Sequence, residues 1–283
     1  MAERADLALT ALAPAIWGST YLVTTELLPP GYPLTVSLLR ALPAGLLLLL
    51  LVRQLPTGLW WNRVFLLGAL NFSIFWALLF VAAYRLPGGV AATVGAVQPL
   101  IVIGLERLFF NAPIRRVSVI VGLAGVAGVA LLVMTPKAGL DPIGVAAGLG
   151  GAVSMACGTV LTRYWRPPVS ALTVTAWQLT AGGLLLLPVA LLLEPSLPMP
   201  SLKNLAGFAY LGLIGAALTY ILWFRGIGTL RPSLVAPLGF LSPLMAVLLG
   251  WGVLGQSLTP AQLGGVAIVL GSVWLNQRAA QKA

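Results

Sequence analysis

The chain has 283 residues, of which 59% are hydrophobic and 8% charged, and its mean hydropathy of +1.01 is far from that of a soluble domain. Its formal charge is +10, but the basic residues are scattered singly and never interleave with aromatics as a nucleic-acid surface would, so membrane orientation explains them better. With no histidine, one cysteine (Cys157) and six acids (Glu3, Asp6, Glu26, Glu106, Asp141, Glu194), the chain lacks the usual groups of hydrolytic or metal-dependent chemistry, and neither a metal nor a cofactor is expected.

At roughly 20 apolar residues per crossing, hydropathy places spans at 7–27, 34–53, 61–84, 88–108, 115–134, 142–163, 170–192, 203–226, 231–252 and 260–276, with Pro, Gly and charged residues at most joints. The first is long enough to cross and shows no small-residue cleavage site before Pro29 and Pro30, so it is expected to remain as a helix. Trp17, Tyr21 and Thr24 recur on one of its faces, and Glu26 lies near its end.

Arg40 sits several residues inside the second span. Snorkelling is the first expectation for it, with an outer pair to Glu26 or contact with a substrate carboxylate as alternatives. The third span offers Asn71 and Phe75 on one face, with Trp76 and Tyr84 as further aromatics. In the fourth, Pro99 after Gln98 removes a backbone donor and frees a carbonyl one turn earlier. That makes either a polar notch or a kink that only shapes packing. Glu106 and Arg107 close this span as an ion pair or a cap.

Gly122, Gly125 and Gly128 in the fifth span, and Gly144 and Gly148 in the sixth, are spaced for close helix packing. Ser154 and Cys157 follow in the sixth, Trp177 and Gln178 in the seventh, and Thr219, Tyr220 and Trp223 in the eighth. The ninth repeats the polar-proline pattern at Ser242 and Pro243. Trp60, Trp61, Trp165 and Trp274, at span ends, are expected as interfacial anchors.

Alternating sides across ten spans collects Arg4, Arg53, Arg63, Arg107, Arg115, Arg116, Arg163, Arg166, Arg225, Arg231, Arg278 and Lys282 on one side. Only Arg85, Lys137 and Lys203 fall on the other. This imbalance places both termini in the cytoplasm, and adding or dropping one span would scramble it.

The two halves resemble each other. Gly68 to Leu86 aligns with Gly212 to Leu230 at an offset of 144, which also sets Gly95 on Gly239 and Gln98-Pro99-Leu100 on Ser242-Pro243-Leu244. Upstream, Arg40 falls on Gln178 and Gly45 on Gly183 at an offset of 138; downstream, Gly122 and Gly128 fall on Gly265 and Gly271. Five crossings per unit force the second copy in upside down, so 1–136 and 137–283 are expected as inverted repeats around a central cavity, an all-α membrane protein of ten helices.

Trp17-Gly18-Ser19-Thr20-Tyr21, Arg40, Ala83-Tyr84-Arg85-Leu86-Pro87, Val97-Gln98-Pro99-Leu100, Ser242-Pro243-Leu244 and Leu254-Gly255-Gln256-Ser257-Leu258-Thr259, in this order and spacing, resemble the drug/metabolite transporter superfamily and its EamA-type branch. Thr25 and Gln256 depart from a frequent lysine and glutamate of that family, so a charge role is not carried over to either. The aromatic, low-charge character is similar to the bacterial amino-acid exporters, the aromatic amino acid exporter among them. The resemblance implies a monomeric exporter of small neutral or aromatic amino acids in the bacterial inner membrane, with outward direction resting on the resemblance alone.

From the residues, the expected substrate contacts are Trp17, Tyr21, Asn71, Trp76, Gln98, Trp177, Tyr220, Trp223 and Ser242, with Pro99 and Pro243 as helix breaks and Arg40 and Glu26 as candidate charges. Aromatic walls with few fixed charges suit an amphiphilic zwitterion, each cation-π contact contributing about 0.5–2 kcal/mol. Export of organic cations, nucleobases or other metabolites is the alternative carrier reading. A channel would show a polar ring or filter instead, and an enzyme lacks its catalytic residue types.

Overall fold

In lipid a backbone can satisfy its N–H and C=O groups only within a helix or a closed barrel. The computed structural model, which describes residues 2–86, 93–133, 141–255 and 257–281 together with all but a few of their side chains, is helical throughout, with no strand among those residues. α1 is Ala2–Leu27 and α2 Pro33–Val52. α3 runs over 60–85 as Trp60–Gly68, a π-helical segment Ala69–Ser73 and Ile74–Arg85. α4 is Gln98–Phe110, α5 Arg116–Val133, α6 Pro142–Trp165 and α7 Ala171–Leu193. α8 is Leu202–Thr229, with a second π segment at Tyr210–Leu218. α9 is Pro232–Leu254, broken by a 3-10 segment at Ala236–Phe240, and α10 is Pro260–Gln281.

Each of the ten expected spans thus falls on a helix of the described residues, and nine of the helical stretches described are long and apolar enough to cross a membrane. The tenth, α10, is diluted by Gln262, Asn276 and Gln277, whose amides donate to the Leu132, Ser233 and Leu234 carbonyls at 3.2, 3.1 and 3.2 Å. The boundary expected at 136–137, Gln256 and Lys282 lie outside the described residues.

Helix ends are closed by side chains from distant helices. Both Glu194 oxygens, at the end of α7, accept the free N–H groups of Leu34 and Thr35 at 2.7 Å and so cap α2. Asn204 donates to the Leu27 carbonyl at the end of α1, and Asp141 caps α6 through the Gly144 N–H while lying 3.6 Å from Arg85. Glu106 is neither paired with Arg107 nor capping its own helix. It is buried and accepts the Ser233 N–H at 3.1 Å, stitching α4 to the start of α9.

The main packings are α2 on α7, α5 on α10, α3 on α6, α1 on α8, α1 on α9, α4 on α6, α3 on α7 and α2 on α8. Exchanging each of α1 to α5 for its counterpart in α6 to α10 leaves this set of pairs unchanged. Individual glycines repeat the exchange. A Cβ on Gly45 would lie 2.5 Å from the Thr180 nitrogen, and one on its partner Gly183 would lie 2.7 Å from Leu42 Cβ. Likewise Gly68 faces the Gln178 carbonyl and Gly212 the Arg40 carbonyl, at 3.0 and 3.7 Å. The glycines expected to allow close approach do so: Gly128 against Val269, Gly125 under the Phe240 ring, Gly144 against Leu86.

Because α2 and α7 touch backbone to backbone at these points, Gly45→Ala and Gly183→Ala are each expected to destabilise the protein by about 1–3 kcal/mol. Gly104→Ala, where a Cβ meets nothing within 4 Å, leaves the thermal midpoint of the detergent-solubilised protein unchanged or raised. Equal midpoints for all three would place α2 and α7 farther apart.

Candidate functional site

An aromatic cluster fills the space between α1, α3 and α8. The Trp17 ring lies 5.0 Å from Tyr220 and 5.2 Å from Trp223, and Phe72 lies 4.5 Å from Tyr220 and 5.2 Å from Trp76, with Phe224 behind them at 5.7 Å from Tyr220. Tilted and edge-on geometries of this kind are the favourable ones for aromatic pairs. The Trp17 indole N–H donates to Thr219 Oγ1 at 2.9 Å, whereas the Trp223 indole nitrogen is buried with no partner among the described residues. Five of the six rings are buried, Trp76, Tyr220 and Trp223 at 4%, 2% and 1% exposure among them, and Trp17 is half-buried.

Both π segments border this cluster and both engage the paired helices α2 and α7. Asn71, in the first, donates to Gln178 Oε1 at 2.7 Å. At the equivalent place in the second, where Asn71 is replaced by Gly215, the Arg40 guanidinium donates to the Gly215 carbonyl at 2.6 Å. Arg40 also lies over the Trp76 ring, 5.0 Å from its centre. Neither snorkelling nor an outer pair with Glu26 is observed: Arg40 is half-buried and directed inward, while Glu26 is exposed and in no ion pair among the described residues. The cause is local, since a π turn presents carbonyls poorly satisfied by its own helix and a guanidinium several residues deep needs acceptors.

The polar-proline motifs stand where helices restart. Ahead of Pro99 the chain makes three-residue turns, Ala96 N–H to Thr93 O and Val97 N–H to Val94 O at 3.2 and 3.3 Å, and α4 begins at Gln98 with Pro99 in its first turn. Pro243 follows the 3-10 segment in the same way. Pro99 and Pro243 therefore mark the resumption of a helix after a break, instead of kinking a continuous one. Residues 93–98 and 241–243 are half-buried without alternation, unlike the exposed and buried stripes of the outer helices. A Cβ on Gly95 or Gly239 would meet nothing within 4 Å. The side chains of Gln98 and Ser242 hydrogen-bond to none of the described residues. Gly18, next to Trp17, lets α1 approach the Ser242 carbonyl, to which its Cβ would be 2.7 Å.

The structure thus brings Trp17, Asn71, Trp76, Tyr220 and Trp223 together and sets Ser242 against α1; Gln98 opens the matching helix α4. The Tyr21 and Tyr84 side chains lie outside the described residues. Trp177 departs from expectation. Its indole donates to the Gln54 carbonyl at 2.6 Å and it packs on Val64 and Ala181, so it anchors the α2–α3 connection, and its neighbour Gln178 is the residue that points to the centre. Phe72 was not expected at all. It lies four residues before Trp76, on the same helical face, and its ring meets that of Trp76 at 5.2 Å. Tryptophans at helix ends pair with arginines: Arg63 lies between Trp60 and Trp165, 5.0 and 5.3 Å from their rings, and Arg278 covers Trp274 at 4.0 Å.

The model of the EamA-like transporter family matches residues 6–134 and again 142–277. The chain is 47% identical over 267 residues to Protein PecM of Dickeya dadantii, covering 94% of this chain and 90% of that one. It is 29% identical over 265 residues to the uncharacterized inner membrane transporter YedA of Escherichia coli K12, covering 92% and 86%. To a probable amino-acid metabolite efflux pump of Salmonella typhimurium it is 25% identical over 292 residues, covering 97% and 95%. A solved protein structure superposes with a TM-score of 0.83 over 98% of this chain and 99% of that one at 20% identity, a likeness of fold alone.

The Asn71–Gln178 contact is buried on both sides. Gln178→Leu strands the Asn71 amide and is expected to cost about 1–3 kcal/mol, while the double replacement Asn71→Leu with Gln178→Leu costs less than the sum of the two single ones. Strict additivity in the unfolding midpoints would reject the pair.

Proposed function

Because this chain belongs to the EamA-like transporter family and is a multi-pass membrane transporter of small solutes, we propose that it exports small neutral or aromatic amino acids by alternating access. In this reading 1–136 and 137–283 are inverted repeats, both termini are cytoplasmic, and the protein works as a monomer in the bacterial inner membrane. The exchange of packing partners between α1–α5 and α6–α10 supports the repeat, and an odd number of crossings in each half makes it inverted. The half-buried starts of α4 and α9 then frame the path, and rocking of one half against the other, with the π segments and 3-10 break as the yielding points, exposes it to either side.

The observation that carries the substrate class is the aromatic centre without an acid. All six acids of the chain lie at or near helix ends, and the rings of Trp17, Trp76, Tyr220 and Trp223 present apolar faces. Gln98, Ser242 and the bare Trp223 N–H offer hydrogen bonds without fixed charge. The Arg40 guanidinium over Trp76 adds positive potential to one wall, which favours a solute with a carboxylate over an organic cation.

Proteoliposomes of the purified protein are expected to take up threonine, methionine or tryptophan faster than empty ones. Gln98→Ala and Ser242→Ala should slow uptake at least about tenfold, the effect of losing about 1.4 kcal/mol, with expression intact. Trp177→Phe, at the anchor, retains the wild-type rate per folded molecule. Uptake no faster than in empty liposomes, or wild-type rates in both site variants, would reject the assignment.

A further inference from the structure

A cavity of about 420 Å³ opens at the end of the bundle where α6, α7 and α8 meet. None of its lining residues comes from α1, α3, α4 or α9, and it meets the aromatic cluster only through Phe224, the ring at the back of that cluster. Three arginines surround it: Arg163 and Arg166 at the end of α6, and Arg225 near the end of α8. The Arg163 guanidinium donates to the Gly228 carbonyl, and Arg225 is held by Asp6 at 2.7 Å. Glu106 is within electrostatic range of Arg163, but its carboxylate already accepts the Ser233 N–H.

Arg166 is different. It ends α6 in the left-handed conformation, φ 46°, is exposed, and its side chain contacts no acid among the described residues. Behind the arginines the wall is apolar, formed by Val169 and by the buried Val174 and Phe224. The first turn of α7 also faces the cavity at Ala171 and contributes the positive end of a 23-residue helix.

A cationic rim over an apolar wall at a helix end matches one kind of molecule, an anion attached to a hydrocarbon. We propose that this pocket seats the phosphate of an anionic phospholipid. Arg166 and Arg163 grip the phosphodiester oxygens, and Val169, Val174 and Phe224 receive the glycerol and the first acyl carbons. A soluble phosphate would find the same cations but leave the apolar wall bare.

The experiment uses the full-length protein, delipidated in detergent, and reads lipid retention by native mass spectrometry while phosphatidylglycerol, phosphatidylcholine or inorganic phosphate is added. Phosphatidylglycerol should be retained in preference to phosphatidylcholine. Arg166→Gln, on an exposed side chain that carries no packing, should weaken that retention about fivefold, as expected from about 1 kcal/mol per basic residue at an anionic lipid. Arg278→Gln, on Trp274 and away from the cavity, should leave it unchanged. Equal retention of the two lipids, an unaltered affinity in Arg166→Gln, or full displacement of phosphatidylglycerol by millimolar inorganic phosphate would overturn the assignment. Solute uptake is not read, so these outcomes are independent of the transport reading.

Discussion

A membrane interior supplies no hydrogen-bond partner, and this single deficit organises the molecule. Each break in helical hydrogen bonding must be answered by another part of the chain. The π segment of α3 leaves the Leu70 carbonyl to Ser154 at 2.7 Å, and Ser73 answers the Gly182 carbonyl at 2.8 Å. The π segment of α8 leaves the Gly215 carbonyl to Arg40 and Thr219. All of these contacts but that of Thr219 run between helices, so the irregular turns also tie α3 to α6 and α7, and α8 to α2. Satisfying the backbone and assembling the bundle are one process here.

Duplication gives those contacts a pattern, and its imperfection gives the centre its character. Arg40 and Gln178 occupy matching places on α2 and α7 and reach matching places on α8 and α3, Gly215 and Asn71. On one side two neutral amides meet. On the other a guanidinium meets the Gly215 carbonyl, which also accepts Thr219 Oγ1. The same exchange sets Trp76 against Tyr220 in the alignment, and both enter the aromatic cluster. The two halves are therefore unequal in charge at the centre: a guanidinium over Trp76 belongs to one contact and a neutral amide pair forms the other.

Much of the placement was legible in the chain. Span limits differ from the helix ends by a few residues, since lipid demands an apolar run of set length whatever the neighbours. In the fourth span the break expected at Pro99 falls just ahead of it, where the chain turns at Ala96 and Val97 and restarts as a helix at Gln98. Glycine spacing foretold the close crossings, because only a missing Cβ admits another backbone. Less legible was the direction of single side chains. Trp177 and Gln178 are adjacent, and about 100° of helix rotation sends one to the Gln54 carbonyl and the other to the centre. Arg40 looked like a residue for the surface because its acceptor, the Gly215 carbonyl, is a backbone atom 175 positions away.

The sequence by itself therefore determined the number of helices, their limits and the pairing of the two halves, because hydropathy, proline and glycine act locally and at fixed periods. Only the tertiary structure decided which faces turn inward, which segments of α3 and α8 become π-helical and how Arg40 is held. Those outcomes depend on carbonyls freed by irregular turns, and a backbone acceptor has no letter in the sequence.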